Sequence, residues 1–314
     1  MLFTRLLVPI APEQPINDAL HQVFSFANTC SSHVTLLLVI KELAEYKDIY
    51  HLSGTTLDIL EHATRFYQDS LKNHVQALEK RYPNIKFNTK VRVGIPFIEI
   101  IKESDELKSS MIVIDCHRED KQEPCQRGCN TFDLMRKSQV PIWSISTHFD
   151  SLSQVVAAVD VTNHDYQDFN IKLVDLAVGF CSAVGARLVL CHAWRLESEG
   201  YLRNRGGYTD IDIALLSQKM RDERIARLNA LLAKHDNSSL TIQTQVLEGE
   251  TRDVLPQFIS DSQANLVILG SMSRSGIAGF VMGNTAESMI NKLECSVITI
   301  KPDTFESPIL MNKV

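Results

Sequence analysis

Short apolar runs and longer amphipathic stretches alternate along the chain. In the second half, apolar runs rich in β-branched residues predict buried strands at residues 154–160, 187–193, 241–246, 265–269 and 297–301. Apolar positions spaced three or four residues apart predict helices at residues 165–184, 217–234, 252–261 and 285–293. Strands that alternate with helices predict a parallel sheet covered by helices on both faces. Such a sheet binds ligands beyond the carboxyl ends of its strands, near the switch in strand order.

The first half of the chain repeats this order of elements. Residues 91–145 align without a gap with residues 246–300, and Gly94 then meets Gly249. The long second helix of the first half is predicted over residues 57–82. Because the order of elements is the same in both halves, we predict that one fold has been duplicated.

The duplication predicts two domains of the α/β class. The first is expected at residues 1–148 and the second at residues 153–303, followed by a C-terminal tail at residues 304–314. Each domain is expected to be a five-stranded, mainly parallel sheet flanked by helices.

A glycine-rich segment follows the predicted fourth strand of the second half. It holds Gly270, Gly276, Gly279 and Gly283 within 14 positions, although the whole chain has only 13 glycines. Glycine lets backbone N–H groups approach an anion without a Cβ in the way. The segment leads into a helix that starts near residues 284–285, and a helix N-terminus suits a phosphate. The alternative is a loop that caps the helix and binds no ligand.

The segment LVILGSMSRSGIAGFVMGNTAESMI resembles the motif of the universal stress protein family. That motif has Gly, two residues, Gly, nine residues, Gly and then Ser or Thr after the fourth strand. Gly270 matches the first glycine and Gly283 the last. Ser273 stands where the motif has its second glycine, and Asn284 stands where it has Ser or Thr. With two copies over nearly the whole chain, the sequence is most similar to the tandem members of the family.

The resemblance implies two Rossmann-like units of the adenine nucleotide alpha hydrolase type, with a nucleotide pocket in the second. Asp160 matches the aspartate that meets the ribose, and Ala193 matches the position whose backbone meets the adenine. The glycine segment would bind the phosphates, with the Asn284 amide and the Thr285 hydroxyl as further donors. Arg274 is either another phosphate ligand or an exposed loop residue. The expected cofactor is ATP or another adenine nucleotide, with or without Mg²⁺.

The family resemblance also implies how the halves of the chain associate. The last strands of the two halves, near residues 142–146 and 297–301, are expected to pair about a pseudo-two-fold axis. One chain would then mimic the usual homodimer, and further homodimerisation is left open.

The matching loop of the first half has lost the features of a nucleotide site. Asp115 stands at the position of the first motif glycine, and Ala11 at the position of the ribose-binding aspartate. Lys121 and Pro124 replace two further glycines, and only Gly128 remains. A carboxylate repels phosphate oxygens by like charge. We therefore predict no triphosphate in the first half, whereas an apolar or partly apolar ligand stays open.

Composition narrows the class of partner. There are 32 Lys and Arg against 38 Asp and Glu, so the formal net charge is −6 and the pI about 5.9. This charge argues against a nucleic-acid surface and favours a small-molecule ligand.

No apolar run approaches the ~20 residues that span a bilayer. Seven cysteines, an odd number, do not form a disulfide framework. A cytoplasmic protein with reduced thiols is expected.

Catalytic and metal-binding motifs are sparse. The P-loop, nucleophile-elbow, zincin and kinase motifs are all absent, so no enzyme is predicted, and a slow ATPase is the alternative. Cys116, His117, Cys125 and Cys129 cluster within 14 residues. Their spacing favours loop thiols over a four-ligand zinc cage. His192 is interpreted as a packed strand residue because no nucleophile or carboxylate partner is evident.

Taken with these patterns, the family resemblance implies a cytosolic stress-response protein that binds an adenine nucleotide in its second domain and passes that state to a protein partner. The alternative is a ligand-free scaffold or a carrier of a small apolar or acyl metabolite. Residues 199–210 are expected to form a solvated loop, with a flap over the pocket as the alternative.

Overall fold

The structure is a computed structural model that describes residues 3–12, 14–49, 54–115, 127–146, 151–235, 240–271, 282 and 284–311. The chain divides into two compact units. The first comprises Met1–Ser151, Ser271–Gly283 and Glu294–Val314, and the second comprises Leu152–Gly270 and Asn284–Leu293.

Strands and helices alternate in the described residues, as predicted. The strands are β1 (Arg5–Ile10), β2 (His33–Ile40), β3 (Lys86–Val93), β4 (Met111–Asp115), β5 (Ile142–Ile145), β6 (Gln154–Ala158), β7 (Arg187–Trp194), β8 (Ile242–Glu248), β9 (Leu266–Gly270) and β10 (Ser296–Ile300). The helices are α1 (Asp18–Thr29), α2 (Ala44–Ile49), α3 (Gly54–Arg81), α4 (Pro96–Glu106), α5 (Cys129–Lys137), α6 (Gln167–Val184), α7 (Glu199–Asn204), α8 (Asp210–Leu232), α9 (Thr251–Asp261), α10 (Asn284–Lys292) and α11 (Pro308–Met311).

The first unit is built on a sheet in the order β3-β2-β1-β4-β5-β10. Its first five strands pair in parallel, and β10 runs antiparallel to β5 with Ile298 opposite Trp143. The predicted pairing of the two last strands is therefore confirmed. In β2, every residue after His33 is buried, as expected of an inner strand covered on both faces. In β3, exposed and half-buried residues alternate along the first part of the strand, as expected at an edge.

The second unit is built on four parallel strands in the order β9-β6-β7-β8. Helix α6 packs on β6, β7 and β9, while α8 packs on β7, β8 and α6. Helix α9 contacts β7, β8 and α10, and right-handed crossovers place these two helices on the other face. The strand order reverses between β6 and β9, so the carboxyl ends of β6, β7 and β9 form the edge at which a ligand is expected.

One prediction on this unit is wrong: residues 199–210 do not form a loop. They contain helix α7, and α8 begins at Asp210 rather than near residue 217. The cause is a capping box in which the Thr209 hydroxyl accepts from the Asp212 N–H at 3.2 Å, and the Asp212 carboxylate accepts from the Thr209 N–H at 2.9 Å. The start was missed because Ile211, 73% exposed, breaks the buried periodicity.

Two glycines close the corresponding strand-to-helix turns of the two units. Gly94 follows β3 with φ 145°, and Gly249 follows β8 with φ 140°. The Gly249 N–H donates to the Trp194 carbonyl at 2.8 Å. A Cβ added at Gly249 would lie 2.5 Å from Cγ1 of Val254. The same backbone conformation at the aligned positions is what a duplicated fold requires.

We expect Gly249→Ala to lower the free energy of unfolding by about 1–3 kcal/mol, because alanine disfavours this φ and its methyl group meets Val254. Denaturant unfolding at neutral pH measures the change. Gly200→Ala is the matched control, because Gly200 lies in α7 with nothing within 4 Å of an added Cβ. Equal stability of the two variants would contradict the prediction.

Candidate functional site

Three of the residues singled out from the sequence meet at the carboxyl ends of neighbouring strands. Ala158 of β6 pairs with Cys191 of β7 and with Leu269 of β9. Asp160 lies two residues beyond Ala158, and Ala193 and Gly270 lie just beyond the paired residues on the other strands. The predicted juxtaposition of a carboxylate, a strand backbone and a glycine is therefore present in the second unit.

Asp160 is held by the turn that follows β6. Its Oδ1 accepts from the N–H of Thr162 at 3.0 Å and also from the Thr162 hydroxyl. Its carbonyl accepts from the buried Asn170 amide of α6 at 2.7 Å. This Asx turn fixes the direction of the half-buried carboxylate, so the group is oriented before any ligand arrives.

Ala193 presents its backbone beyond the end of β6. In β7, Arg187 donates its N–H to Ser153, and Cys191 accepts at its carbonyl from Val159, both at 2.9 Å. The N–H and C=O of one strand residue point to the same side, and the sides alternate along the strand. Ala193 therefore directs a donor and an acceptor to the β6 side, past the last paired residue. That pair of groups can recognise the edge of a heterocyclic base.

Gly270 is required by packing as well as by its place in the motif. A Cβ at Gly270 would lie 2.6 Å from Cε1 of Phe169, whose ring on α6 stands against the end of β9. The lack of a side chain at this position therefore has a structural cause in addition to the predicted phosphate contact.

The remaining predicted phosphate ligands are placed only in part. Ser273, Arg274 and Gly283 lie outside the described residues. Asn284 and Thr285 form the first turn of α10, which begins one residue earlier than predicted. The backbone of this helix start thus belongs to the second unit, while the predicted side-chain contacts stay predictions.

Sequence reasoning missed a cationic cluster beside Asp160. The guanidinium of Arg224, on α8, stacks 4.4 Å from the centroid of the Trp194 ring and donates from Nη1 to the Met220 carbonyl at 2.9 Å. Arg227 donates from Nη1 to the Val161 carbonyl at 2.8 Å. No periodicity reveals this cluster, because the two arginines sit in a helix segment rich in both charges, MRDERIARL. Only the approach of α8 to the ends of β6 and β7 brings them together.

His192 behaves as interpreted from the sequence. Its side chain is buried in β7, and its Nδ1 lies 3.0 Å from the Val159 carbonyl. The neighbouring thiols are also core groups, because burial raises the pKa values of Cys181 and Cys191 to about 12. Thiols of such high pKa stay protonated and unreactive at neutral pH.

In the first unit, the corresponding edge is occupied by groups of the chain itself. Oδ2 of Asp115, at the end of β4, accepts from the amides of Asn17 at 2.6 Å and Gln14 at 3.1 Å. Gln14 in turn accepts from the N–H of Ala11 at 2.9 Å, and Asn17 caps α1 by accepting from the N–H of Leu20 at 3.0 Å. A carboxylate thus takes the position where an anion would lie, and the absence of a triphosphate from this half stays a prediction.

The described parts of the chain hold neither a metal site nor a membrane-spanning helix. No three His, Cys, Asp or Glu side chains come close enough there to hold a metal ion. Cys116, His117 and Cys125 lie outside those parts, as do Lys121 and Pro124. None of the helices described combines the length and the apolar character of a membrane span.

Comparison with known proteins identifies the family to which the chain is similar. The sequence profile described as the universal stress protein family matches residues 2–145 and again residues 154–301. Universal stress protein E of Photorhabdus laumondii is 23% identical over 320 residues, which cover 98% of this chain and 98% of the relative. Universal stress protein E of Escherichia coli K12 is 24% identical over 329 residues, covering 98% and 97%. The family resemblance and the tandem arrangement predicted from the sequence are confirmed.

Solved structures support the same fold. A universal stress protein of Archaeoglobus fulgidus superposes with a TM-score of 0.60 at 17% identity, over 95% of this chain and 98% of the other. A Pseudomonas aeruginosa PAO1 protein described as functionally unknown superposes with a TM-score of 0.69 at 20% identity, over 96% and 93%. At these identities the likeness establishes the fold alone, and the predicted α/β class is confirmed.

Proposed function

Because the chain belongs to the universal stress protein family, we propose that its second domain, residues 153–303, binds an adenine nucleotide. We further propose that the protein acts in the cytoplasm in the stress response, by passing the state of that ligand to a protein partner. The single observation that carries the nucleotide proposal is the meeting of Asp160, the Ala193 backbone and Gly270 at one strand edge.

The chemistry of these groups suits the three parts of a nucleotide. The Asp160 carboxylate can accept hydrogen bonds from ribose hydroxyls, and its Asx turn pre-orients it for that contact. The donor and acceptor of the Ala193 backbone complement the edge of adenine, which carries an amino donor and ring-nitrogen acceptors. The start of α10, with the N–H groups and partial positive charge of a helix N-terminus, suits a phosphate.

We expect Asp160→Asn to weaken nucleotide binding about tenfold or more, because hydrogen bonds to a charged acceptor contribute about 1.5–3 kcal/mol. Asparagine keeps the acceptor that Thr162 uses, so the turn survives. Isothermal titration with ATP, AMP and adenosine, with and without Mg²⁺, measures the affinities. Asp168→Asn, an exposed carboxylate in the first turn of α6, is the matched control.

Two results would count against the proposal. Unchanged affinity in Asp160→Asn would remove the assigned ribose contact. The absence of nucleotide binding to the unmodified protein would favour the scaffold or metabolite carrier instead, and native mass spectrometry of freshly purified protein would show a co-purified ligand. Phosphate release that exceeds buffer and disappears in Asp160→Asn would indicate the slow ATPase.

A further inference from the structure

Arg224 is a buried cation that has no carboxylate partner among the described residues. Its residue surface is 9% exposed, and no carboxylate oxygen of the described residues lies within 4 Å of its guanidinium. In the part of the chain that the structure describes, its guanidinium donates to the Met220 carbonyl of its own helix. Its Nε is buried and has no acceptor among the described residues. Buried arginines are normally paired, because a desolvated charge without a counter-ion is costly.

A second buried donor belongs to the same stack. Trp194, whose ring lies under the Arg224 guanidinium, has a buried Nε1–H that also finds no acceptor in the described parts of the chain. Tryptophan N–H groups usually find a partner when buried. Two donors on stacked side chains, one of them charged, therefore lack an acceptor at the same place in the fold.

The surrounding charges leave this position to an anion. Glu223, the adjacent acid on α8, is engaged by Arg227 at 2.5 Å. Oδ1 of Asp160 caps its own turn through Thr162. Burial lowers the pKa of Arg224, with a smaller contribution in the same direction from Arg227, while the charges of Glu223 and Asp160 oppose the shift. An oxyanion would compensate the guanidinium and accept from both donors.

We propose that Arg224 and Trp194 form an oxyanion-binding subsite on the α8 side of the second unit, which takes a phosphate group or a similar polyoxyanion. The inference deepens the proposed function, because it adds an anion contact next to the ribose-binding aspartate. The inference rests on the proposed function only in that the whole ligand is taken to contain adenine. Probes without adenine test the anion subsite directly.

Stability separates this role from a purely structural one. If Arg224 stabilised the unliganded fold, Arg224→Met would lower the melting temperature. A buried charge that awaits a ligand predicts the reverse, because an apolar group of similar length removes the desolvation cost. We expect Arg224→Met to melt about 2–4 °C higher than the unmodified chain in chloride buffer. The same substitution should abolish the stabilisation that pyrophosphate confers.

The experiment compares the full-length chain with Arg224→Met, Arg224→Lys, Trp194→Phe and the control Arg221→Met, an exposed arginine one turn earlier on α8. Calorimetric titration and melting are carried out with sodium pyrophosphate, inorganic phosphate, ATP and adenosine at constant ionic strength. We expect pyrophosphate and ATP to bind the unmodified chain and Arg221→Met alike, and Arg224→Met at least tenfold more weakly. Trp194→Phe, which keeps an aromatic face but loses the N–H donor, should bind more weakly than the unmodified chain.

The outcomes distinguish the subsite from the nucleotide proposal. Equal affinity of Arg224→Met and Arg221→Met for both pyrophosphate and ATP would overturn the subsite, and the nucleotide proposal would survive if adenosine still bound. No response of the unmodified chain to any oxyanion would also overturn the subsite. Pyrophosphate binding that depends on Arg224, without adenosine binding, would support the subsite and remove the adenine part. Should Arg224→Met fail to fold, the Arg224→Lys and Trp194→Phe titrations decide in the same way.

Discussion

Arg92→Met is expected to lower the free energy of unfolding by about 3–5 kcal/mol, because it takes the guanidinium away from the buried Glu103 carboxylate and weakens the compensation of the buried Glu99, which Lys102 also contacts at 3.5 Å. Arg92 stands at the end of β3 and contacts Glu99, Glu103 and Glu106 of α4. Two of these, Glu99 and Glu103, are only 4% and 1% exposed. Denaturant unfolding at neutral pH, followed by circular dichroism, measures the loss.

The size of the effect follows from the geometry of the cluster. The three glutamates lie one and two turns apart, so they line one face of α4 and converge on a single guanidinium. Nη1 of Arg92 lies 3.2 Å from Glu99 and Nη2 lies 2.5 Å from Glu106, while Nε contacts Glu103. Burial lowers the pKa of Arg92, but the hydrogen bonds that it donates to Glu106, Glu103 and Glu99 outweigh burial and raise the pKa above its ordinary value. The guanidinium therefore stays charged at every pH at which the protein folds.

Two further variants test the cause. Arg65→Met removes an arginine of α3 whose side chain is 70% exposed and paired with Glu61, and it should change stability by less than about 1 kcal/mol. The triple variant Arg92→Met, Glu99→Gln, Glu103→Gln should recover part of the loss, because no uncompensated charge remains buried. A loss in Arg92→Met no larger than in Arg65→Met would contradict the assignment.

The order of elements was predictable because it depends on local patterns. Buried parallel strands such as β2 are continuous apolar runs, and the left-handed Gly185 that ends α6 is an ordinary helix stop. The early start of α8 was not predictable from periodicity, since a capping box at Thr209 begins the helix although the exposed Ile211 interrupts the pattern of buried positions. Local hydrogen bonds of this kind shift boundaries without changing the fold.

The candidate site was predictable only where strands end. Asp160 and Ala193 were predictable because each follows or ends a strand that the sequence pattern identifies, β6 and β7. The carboxyl ends of neighbouring parallel strands lie at one edge of the sheet. The stack of Arg224 on Trp194 joins residues 30 positions apart through the packing of α8. The ion cluster of Arg92 likewise depends on how α4 crosses β3. Side-chain contacts between elements need the helix orientation, which a single sequence pattern does not contain.

In a second buried cation, Lys301, the effect of burial on the pKa outweighs that of the favourable contacts, whereas the contacts outweigh burial for Arg92. Lys301, which follows β10, is 3% exposed, and its Nζ donates to the backbone carbonyl and the hydroxyl of Ser271, both at 2.9 Å. The ammonium also lies 4.7 Å from the centroid of the Phe305 ring. Neutral oxygens and an aromatic face compensate a buried charge less than carboxylates do. Burial accordingly lowers the pKa of Lys301 from 10.5 to about 8.

This lowered pKa makes the contribution of Lys301 depend on pH in a defined direction. Below pH 8 the amine is protonated in both the folded and the unfolded chain, and the folded chain bears the full cost of burying the charge. Between pH 8 and 10.5 the unfolded chain binds more protons than the folded one, so stability rises with pH. Above pH 10.5 the amine is neutral in both states and the cost has gone. The neutral amine still has donors for Ser271.

We therefore expect the unmodified chain to gain about 3 kcal/mol relative to Lys301→Met as pH rises from 8 to 10.5, since one pKa unit corresponds to about 1.4 kcal/mol. The comparison with the variant matters because Cys181 and Cys191, with pKa values raised to about 12, lower stability over the same range in both proteins. Denaturant unfolding at half-unit pH steps measures the difference. Lys292→Met, which removes an exposed lysine of α10, is the control and should show no such gain. A constant difference between the unmodified chain and Lys301→Met would mean that the buried amine is already neutral below pH 8, or that it does not titrate in this range.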